Sequence, residues 1–197
     1  PGPTRAIDVV DARPGWLDAG VENGFVEPLP VERMPAWENV PERFREGVHR
    51  RDGKTYGVPT EAVLTTLAYD TEAFDDPPDS WDVLWDEEFA GRVVLGGGYY
   101  DLPQIAALHT GQDPRDPDDW DAIRGALERL RDRDVTMAYR DEVVRQFQSG
   151  ETVVGTMWQP AVYRARFERG VAVDYAVPDE GSVYKCYYHL VPTDAPN

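Results

Sequence analysis

Apolar and polar residues follow two different periods along the second half of the chain. Short runs of β-branched and apolar residues, typical of buried strands, alternate with segments whose apolar residues recur every three or four positions, as on one face of a helix. The pattern predicts strands at 92–95, 135–139, 152–156, 171–177 and 183–191, and helices at 81–86, 102–110, 118–133, 141–149 and 161–169. Because strands that alternate with helices favour parallel pairing, we expect an α/β fold with helices on both faces of a mainly parallel sheet.

The first half of the chain has a less regular pattern that is interrupted by prolines. It predicts a strand at 6–10, a brief helix at 16–22, a short helix at 41–48 and a strand in the second half of 60–69. Gly24 is the expected C-terminal cap of the first of these helices, because glycine readily adopts the left-handed conformation that ends a helix.

The stretch from Gly150 to Pro160 combines a buried strand with a candidate binding position. Pro160 suits the first turn of a helix, so Trp158 and Gln159 are expected on the loop between the strand and that helix. Ligands of open α/β sheets bind at the carboxyl ends of the strands, which favours contact of both residues with a ligand. The alternative is that Trp158 caps the core.

A glycine-rich loop and an aromatic pair follow the strand predicted at 92–95. Gly96–Gly98 brings backbone amides close to an anion, or forms a tight turn. Tyr99 and Tyr100 beside Asp101 form either a wall for a cation or a pair of exposed tyrosines next to a helix cap.

Polar and aromatic residues interrupt the last predicted strand at 184–189. Because an unpaired Lys185 charge is costly in a buried strand, we expect this stretch to face a ligand cleft. Elsewhere the three histidines are far apart and no serine stands in the context of a nucleophile. The sequence therefore predicts a protein that is not an enzyme and that holds no metal and no cofactor.

The chain is strongly acidic, with 37 acidic and 20 basic residues and a net charge of −17. No basic stripe exists that would neutralise phosphates, so the composition disfavours nucleic-acid binding. An acidic surface with only two lysines fits a halophilic protein, since strong salt screens the repulsion between like charges. The single cysteine, Cys186, excludes an intrachain disulfide, and no apolar run is long enough for a transmembrane helix.

The order of these elements resembles the spermidine/putrescine-binding proteins of polyamine ABC importers. The resemblance covers nearly the whole chain and rests on segments at 8–10 with 16–17, 56–59, 80–85 with 91–93, 150–158, and 178–181 with 191–192. It implies two α/β lobes of the type II periplasmic-binding fold that hold a small solute in a cleft and close by hinge motion. It also implies ABC permease subunits as partners, a monomer, and an extracytoplasmic location with a lipid anchor on the full-length protein.

The resemblance places the first lobe at 1–67 with 184–197 and the second at 68–183, with crossing strands near 66–69 and 178–184. Members of that family are longer than this chain, so we expect an incomplete first lobe and a nearly complete second one. The ligand-binding residues expected from the loops and from the resemblance are Arg13, Trp16, Thr60, Glu61, Gly98, Tyr99, Tyr100, Asp101, Trp158, Gln159, Lys185 and Tyr187.

The chain departs from the polyamine site at several of these positions. Trp158 and Asp101 match the aromatic and the carboxylate that contact the polyamine, but Gly98 replaces a second acid. Lys185 and Tyr187 replace the tryptophan and the acid of the later crossing, and Arg13 replaces a serine.

Arg13 and Lys185 bring positive charge to the pocket, so the hypothesis is an anionic or zwitterionic ligand held by these two residues and the amides of Gly97–Gly98. The competing hypothesis keeps a polyamine, held by Tyr99, Asp101, Trp158 and Tyr187. An enzyme on the same two-lobed fold, as in hydroxymethylbilane synthase, or a sensor domain are further alternatives.

Overall fold

The computed structural model describes residues 7–47, 49–96, 99–139 and 141–196, and the side chains of Pro14 and Tyr99 are not described. The strands are β1 (Val10–Ala12), β2 (Arg50–Arg51), β3 (Lys54–Thr55), β4 (Val58–Asp70), β5 (Val93–Leu95), β6 (Thr136–Met137), β7 (Val154–Trp158), β8 (Val173–Ala176) and β9 (Val183–Leu190). The α-helices are α1 (Pro14–Glu22), α2 (Glu42–Arg45), α3 (Leu102–His109), α4 (Trp120–Arg131), α5 (Asp141–Ser149) and α6 (Gln159–Arg169). Short 3-10 helices lie at Val31–Arg33, Trp37–Asn39, Trp81–Trp85, Glu87–Phe89 and Tyr99–Asp101.

The chain divides into two compact units, and β4 and β9 each belong partly to both. The first unit comprises Pro1–Ala62 with Lys185–Asn197, and the second comprises Val63–Tyr184. The lobe boundaries that the resemblance suggests, at 67 and 184, stay a prediction. Within the described ranges, no helix is long and apolar enough to cross a membrane.

In the first unit, β9 lies between β1 and β4. β1 pairs antiparallel with β9, so that Ala12 stands opposite Tyr188. A small core forms where Leu17 of α1 packs with Ala12 and with the inward residues of β9, Cys186, Tyr188 and Leu190. Helix α1 ends at Glu22 and is followed by Asn23, and Gly24 then has a φ of +68°, the left-handed conformation predicted for the end of this helix.

The first strand lies later in the sequence than its apolar pattern predicts. The prediction at 6–10 is wrong for Ile7 and Val9, which are exposed and precede the strand, while Ala6 lies outside the described residues. Pairing with β9 determines where β1 begins and ends, because residues 10–12 are the ones whose backbone pairs with β9. The short helix predicted at 41–48 is also shorter, since α2 ends at Arg45.

The second unit contains the parallel part of the fold. β5 pairs parallel with both β6 and β7, as the alternating pattern predicts. β4 is antiparallel to β7 and to β8, which places antiparallel pairs beside the parallel ones. The two faces of this sheet carry separate apolar clusters, one containing Leu67 and the other Ala68. The predicted cover of helices on both faces is therefore confirmed.

The helices of the second unit follow the periodicity of the sequence closely. α5 has the predicted limits, and Val143, Val144 and Phe147 are buried as expected. The short helix after Ser80 is a 3-10 helix, and the Ser80 hydroxyl accepts a hydrogen bond from the amide of Asp82 as a capping residue.

Helix α4 corrects one prediction about its buried face. The sequence places Trp120 in the apolar stripe of this helix, but Trp120 is 59% exposed. The carboxylate of Asp119 accepts from the amide of Ala122, so the helix starts at Trp120, and the buried residues are Ile123, Ala126 and Leu130.

Candidate functional site

Trp158 and Gln159 lie at the junction of β7 and α6 in the second unit. Trp158 is the last residue of β7, opposite Thr65 of β4, and Gln159 is the first residue of α6. The loop predicted between strand and helix is thus absent at this junction, because Pro160 fits the first helical turn directly after the strand. The position at the carboxyl end of a strand is as predicted.

An aromatic corner surrounds this junction. The Trp158 ring is half-buried and meets Tyr139 edge to face, with ring centroids 6.0 Å apart. The amide of Gln159 donates to the hydroxyl of Tyr175 at 3.3 Å. Tyr139 follows β6 and is 47% exposed, so the corner reaches the surface of the second unit. A core cap would be buried and a ligand contact would be accessible. The half-buried ring of Trp158 is therefore compatible with both hypotheses.

Asp101 is buried in the second unit. It ends the 3-10 helix that precedes α3, and its carboxylate accepts a hydrogen bond from the Thr65 hydroxyl at 2.6 Å. Ser182 in turn donates to the backbone carbonyl of Thr65. Thr65 therefore joins two segments that the sequence does not connect, and the analysis of the sequence missed it because it stands within a β-branched run.

The predicted cation wall is described only in part. Tyr100 is exposed beside the buried Asp101. Gly97 and Gly98 lie outside the described residues, as does the side chain of Tyr99. The contribution of these three residues stays a prediction.

In the first unit, Arg13 and Tyr187 are in contact. The Arg13 guanidinium lies over the Tyr187 ring, 6.0 Å from its centroid. Lys185 and Tyr187 are half-buried and stand two positions apart on β9, so their side chains share one face of the strand. That face carries two cationic side chains and an aromatic ring.

Thr60 and Glu61 lie along a different feature of the first unit. They line a cavity of about 340 Å³ together with Cys186 and apolar residues of segment 36–44. The Thr60 hydroxyl donates to the backbone carbonyl of Tyr187 at 3.3 Å. The predicted residues Thr60 and Glu61 are thus grouped with the thiol of Cys186, which belongs to the stretch 184–189 that the sequence predicts to face a ligand cleft.

Trp16 faces yet another cavity, of about 630 Å³. Its ring is 70% exposed and borders the cavity with Phe25, Val26 and Leu190. Trp16 is therefore not among the residues that line the cavity of Thr60 and Glu61. No described contact joins it to the Arg13–Tyr187 pair.

Two buried titratable groups lie in the core of the first unit. His49 stacks on Tyr188 with ring centroids 5.1 Å apart. Burial is the main cause that lowers the pKa of His49 below its ordinary value of 6.5. Burial likewise raises the pKa of the Cys186 thiol above its ordinary value of 9.0, which keeps it protonated.

Among the described residues, no group of three His, Cys, Asp or Glu side chains is placed to hold a metal ion. The candidate residues include charged and aromatic side chains on β7, on β9 and in the 3-10 helix before α3, and a few such groups suffice to orient a small polar solute.

Comparisons with known proteins agree with this class. A family model of bacterial extracellular solute-binding proteins matches residues 2–197. The putrescine/agmatine-binding protein of Pseudomonas aeruginosa is 27% identical over 211 residues, covering 96% of this chain and 57% of its own length.

Solved structures show the same fold. The spermidine/putrescine ABC transporter substrate-binding protein of Streptococcus pneumoniae matches with a TM-score of 0.81 and 16% identity, over 96% of this chain and 58% of that one. A periplasmic binding protein of Agrobacterium tumefaciens in complex with agropinic acid matches with a TM-score of 0.66 and 23% identity, over 96% and 57% of the two chains.

The fold and the polar strand ends define a two-unit solute-binding scaffold of the periplasmic-binding class, and this confirms the predicted fold class. The chain belongs to the bacterial extracellular solute-binding protein family, which is a family of binding proteins and not of enzymes. It spans 57% of the length of the Pseudomonas relative.

Proposed function

We propose that this chain captures a small polar solute for an ABC importer outside the cytoplasm, as a monomer that delivers the solute to the permease subunits. Membership of the extracellular solute-binding family supports this role, since the chain matches that family over residues 2–197. The lipid anchor and the two-lobed cleft that the resemblance implies stay predictions.

The ligand that we propose carries a carboxylate, phosphonate or similar anionic group. The observation that carries this proposal is the face of β9 on which Arg13 lies over Tyr187 and Lys185 stands two residues away. Guanidinium and ammonium groups form charge-assisted hydrogen bonds with anionic oxygens. A dication at the same face would meet like charges, which are costly to bury together.

The second unit, taken by itself, carries groups that suit an amine and an alkyl chain. The carboxylate of Asp101 suits an ammonium group, and the rings of Trp158 and Tyr139 suit methylene groups. The ligand class that we propose is therefore anionic or zwitterionic. The agropinic acid bound by the Agrobacterium protein, which has the same fold, supports an acidic solute on this scaffold.

The second candidate is a polyamine. The names of the Pseudomonas and Streptococcus proteins favour it, together with the buried carboxylate of Asp101 in this chain. It requires that Arg13 and Lys185 turn away from the ligand or make no contact with it.

Substitution of the two cations tests the first candidate. We expect Arg13→Ala and Lys185→Ala each to weaken binding of γ-aminobutyrate or aminopropylphosphonate by roughly ten- to hundredfold, the loss of about 1.5 to 3 kcal/mol per charged hydrogen bond. Arg33→Ala is the control, because Arg33 is exposed in the 3-10 helix at 31–33 and belongs to neither group of candidate residues. Calorimetric affinities of the double variant equal to those of the Arg33 variant would contradict the proposal.

A further inference from the structure

The cavity of about 340 Å³ in the first unit has no role in the function proposed above. The lining includes the stretch Pro59–Ala62 of β4 and, from segment 36–44, Val40, Pro41 and Phe44. Cys186 of β9 completes the lining. This volume lies within the range of small-molecule sites, which are mostly apolar with few polar groups.

The cavity is separate from the Arg13–Tyr187 pair. Cys186 and Tyr187 are consecutive residues of β9, and consecutive side chains of a strand point to opposite faces. Cys186 belongs to the apolar core cluster with Tyr188 and Leu190, whereas Tyr187 lies under Arg13. A molecule in the cavity is thus on the other side of β9 from the proposed anion site.

The charge of the lining decides which molecules fit. Glu61 is the carboxylate among the lining residues, and it is exposed. The thiol of Cys186 remains neutral because burial raises its pKa. Most of the other lining residues are apolar, among them Phe44, Val40 and Pro41, so the cavity is mostly apolar and has one negative group in its lining.

We propose that this cavity binds a small organic cation with an aromatic or branched apolar body and a single ammonium group. The apolar body packs against Phe44, Val40 and Pro41, and the ammonium pairs with the carboxylate of Glu61. Such a molecule differs from a polyamine, whose second charge would lie among the apolar walls without a partner.

Because the chain has a single cysteine, labelling of Cys186 reports whether the cavity is occupied, and no substitution is needed. Cys186 is buried and lines the cavity, so a small thiosulfonate reagent reaches its thiol through that space. Phenylethylammonium, phenylethanol and phenylpropionate serve as cationic, neutral and anionic probes of nearly the same shape. We expect phenylethylammonium to slow the reaction of Cys186 saturably, to about one tenth of its rate at a concentration ten times its Kd.

The probes separate the proposal from its alternatives. Phenylethanol is expected to protect Cys186 less than phenylethylammonium does, and phenylpropionate is expected to give no protection. Equal protection by the cation and the anion would overturn the proposal, as would an unchanged rate with all three probes.

Glu61→Gln supplies the matched variant, with Glu32→Gln as its control in the 3-10 helix at 31–33. We expect Glu61→Gln, with each rate compared to that of the same variant without a probe, to remove the advantage of phenylethylammonium over phenylethanol, while Glu32→Gln retains that advantage. An unchanged advantage in Glu61→Gln would contradict the assigned role of the carboxylate. If the cavity is separate from the proposed anion site, Arg13→Ala leaves the protection of Cys186 unchanged. The labelling experiment therefore tests the cavity independently of the solute proposed above.

Discussion

At the scale of single residues, the hydrogen bond from Thr65 to the buried carboxylate of Asp101 holds the second unit's candidate site in place. Thr65→Val keeps the shape of the side chain but removes the donor, so a buried carboxylate loses a hydrogen bond. We expect the free energy of unfolding to fall by about 1 to 3 kcal/mol, measured by urea denaturation. Thr71→Val is the control at an exposed position, where the expected change stays within about 0.5 kcal/mol. Equal effects of the two substitutions would show that the bond contributes nothing.

His49 predicts a dependence of stability on pH. Its pKa in the folded chain is lower than the ordinary 6.5, mainly because of burial; Arg50 and Arg51 lower it further and Glu46 opposes them. Below pH 6.5 the unfolded chain therefore binds a proton that the folded chain does not, and the free energy of unfolding falls as the pH decreases towards the folded pKa.

The measurement is the unfolding midpoint at several pH values from 7.5 down to about 5 in wild type and in His49→Phe. Protonation of the many carboxylates also changes stability in acid. The contribution of His49 is therefore the difference between the pH dependence of the wild type and that of His49→Phe. We expect the wild type to lose more stability than His49→Phe, while His189→Gln, at an exposed position, follows the wild type. Parallel curves for all three proteins would exclude the effect of His49.

The candidate residues of the site were predictable only where local chemistry marks them. Trp158 stands before Pro160 and Asp101 follows a glycine-rich loop, and both cues are visible in the sequence. Thr65 and Tyr139 carry no such cue, because their role depends on contacts with residues 36 and 19 positions away. Pairing across a sheet is a property of the folded chain, which a single sequence does not display.

At the scale of elements, the contact between β5 and β7 requires glycine at position 155. A Cβ atom on Gly155 would lie 2.0 Å from the carbonyl oxygen of Val94. Gly155→Ala therefore forces the two parallel strands apart, and we expect a loss of about 3 kcal/mol or more in the free energy of unfolding.

Gly125 provides the matched comparison in helix α4. Its added Cβ would meet only the guanidinium of Arg129, at 3.6 Å. Because alanine favours an α-helix over glycine, Gly125→Ala is expected to stabilise the protein by about 0.5 to 1 kcal/mol. Denaturant unfolding of both variants tests the pair, and a stable Gly155→Ala would contradict the close packing of β5 on β7.

The elements were predicted best where a helix has a clean amphipathic period. Helix α5 has its predicted limits because Val143, Val144 and Phe147 mark one face without interruption. β1 was misplaced because the apolar residues before it are exposed and its limits depend on pairing with β9. The antiparallel pairing of β4 with β7 and β8 was not predictable either, because the alternation of strands and helices does not specify which strands become neighbours.

At the scale of the whole molecule, the net charge of −17 predicts that salt stabilises the fold. The Debye length falls from about 10 Å at 0.1 M to about 3 Å at 1 M salt, so the repulsion between surface carboxylates weakens. We expect the melting temperature to rise steadily with NaCl concentration, in line with a halophilic protein. A melting temperature that is flat or falls between these concentrations would contradict that interpretation of the composition.

Removal of acidic charge tests the cause of the salt effect. Asp75, Asp76 and Asp79 are exposed in one turn-rich segment, and their joint replacement by Asn lowers the negative charge without touching the core. The triple variant is expected to melt higher than wild type at low salt and to show a smaller rise with NaCl. An unchanged salt dependence would point to an effect of salt other than screening.

The sign of the charge that the solute presents to the first unit distinguishes the two proposed ligands, an acid and a polyamine. Putrescine and γ-aminobutyrate have the same four-carbon length and differ in one end group, an ammonium or a carboxylate. The most direct measurement is calorimetric titration of the chain with both at high salt. We expect γ-aminobutyrate to bind more tightly than putrescine, because Arg13 and Lys185 meet the carboxylate. Micromolar binding of putrescine with no heat from γ-aminobutyrate would show instead that Asp101 and the aromatic side chains bind a polyamine.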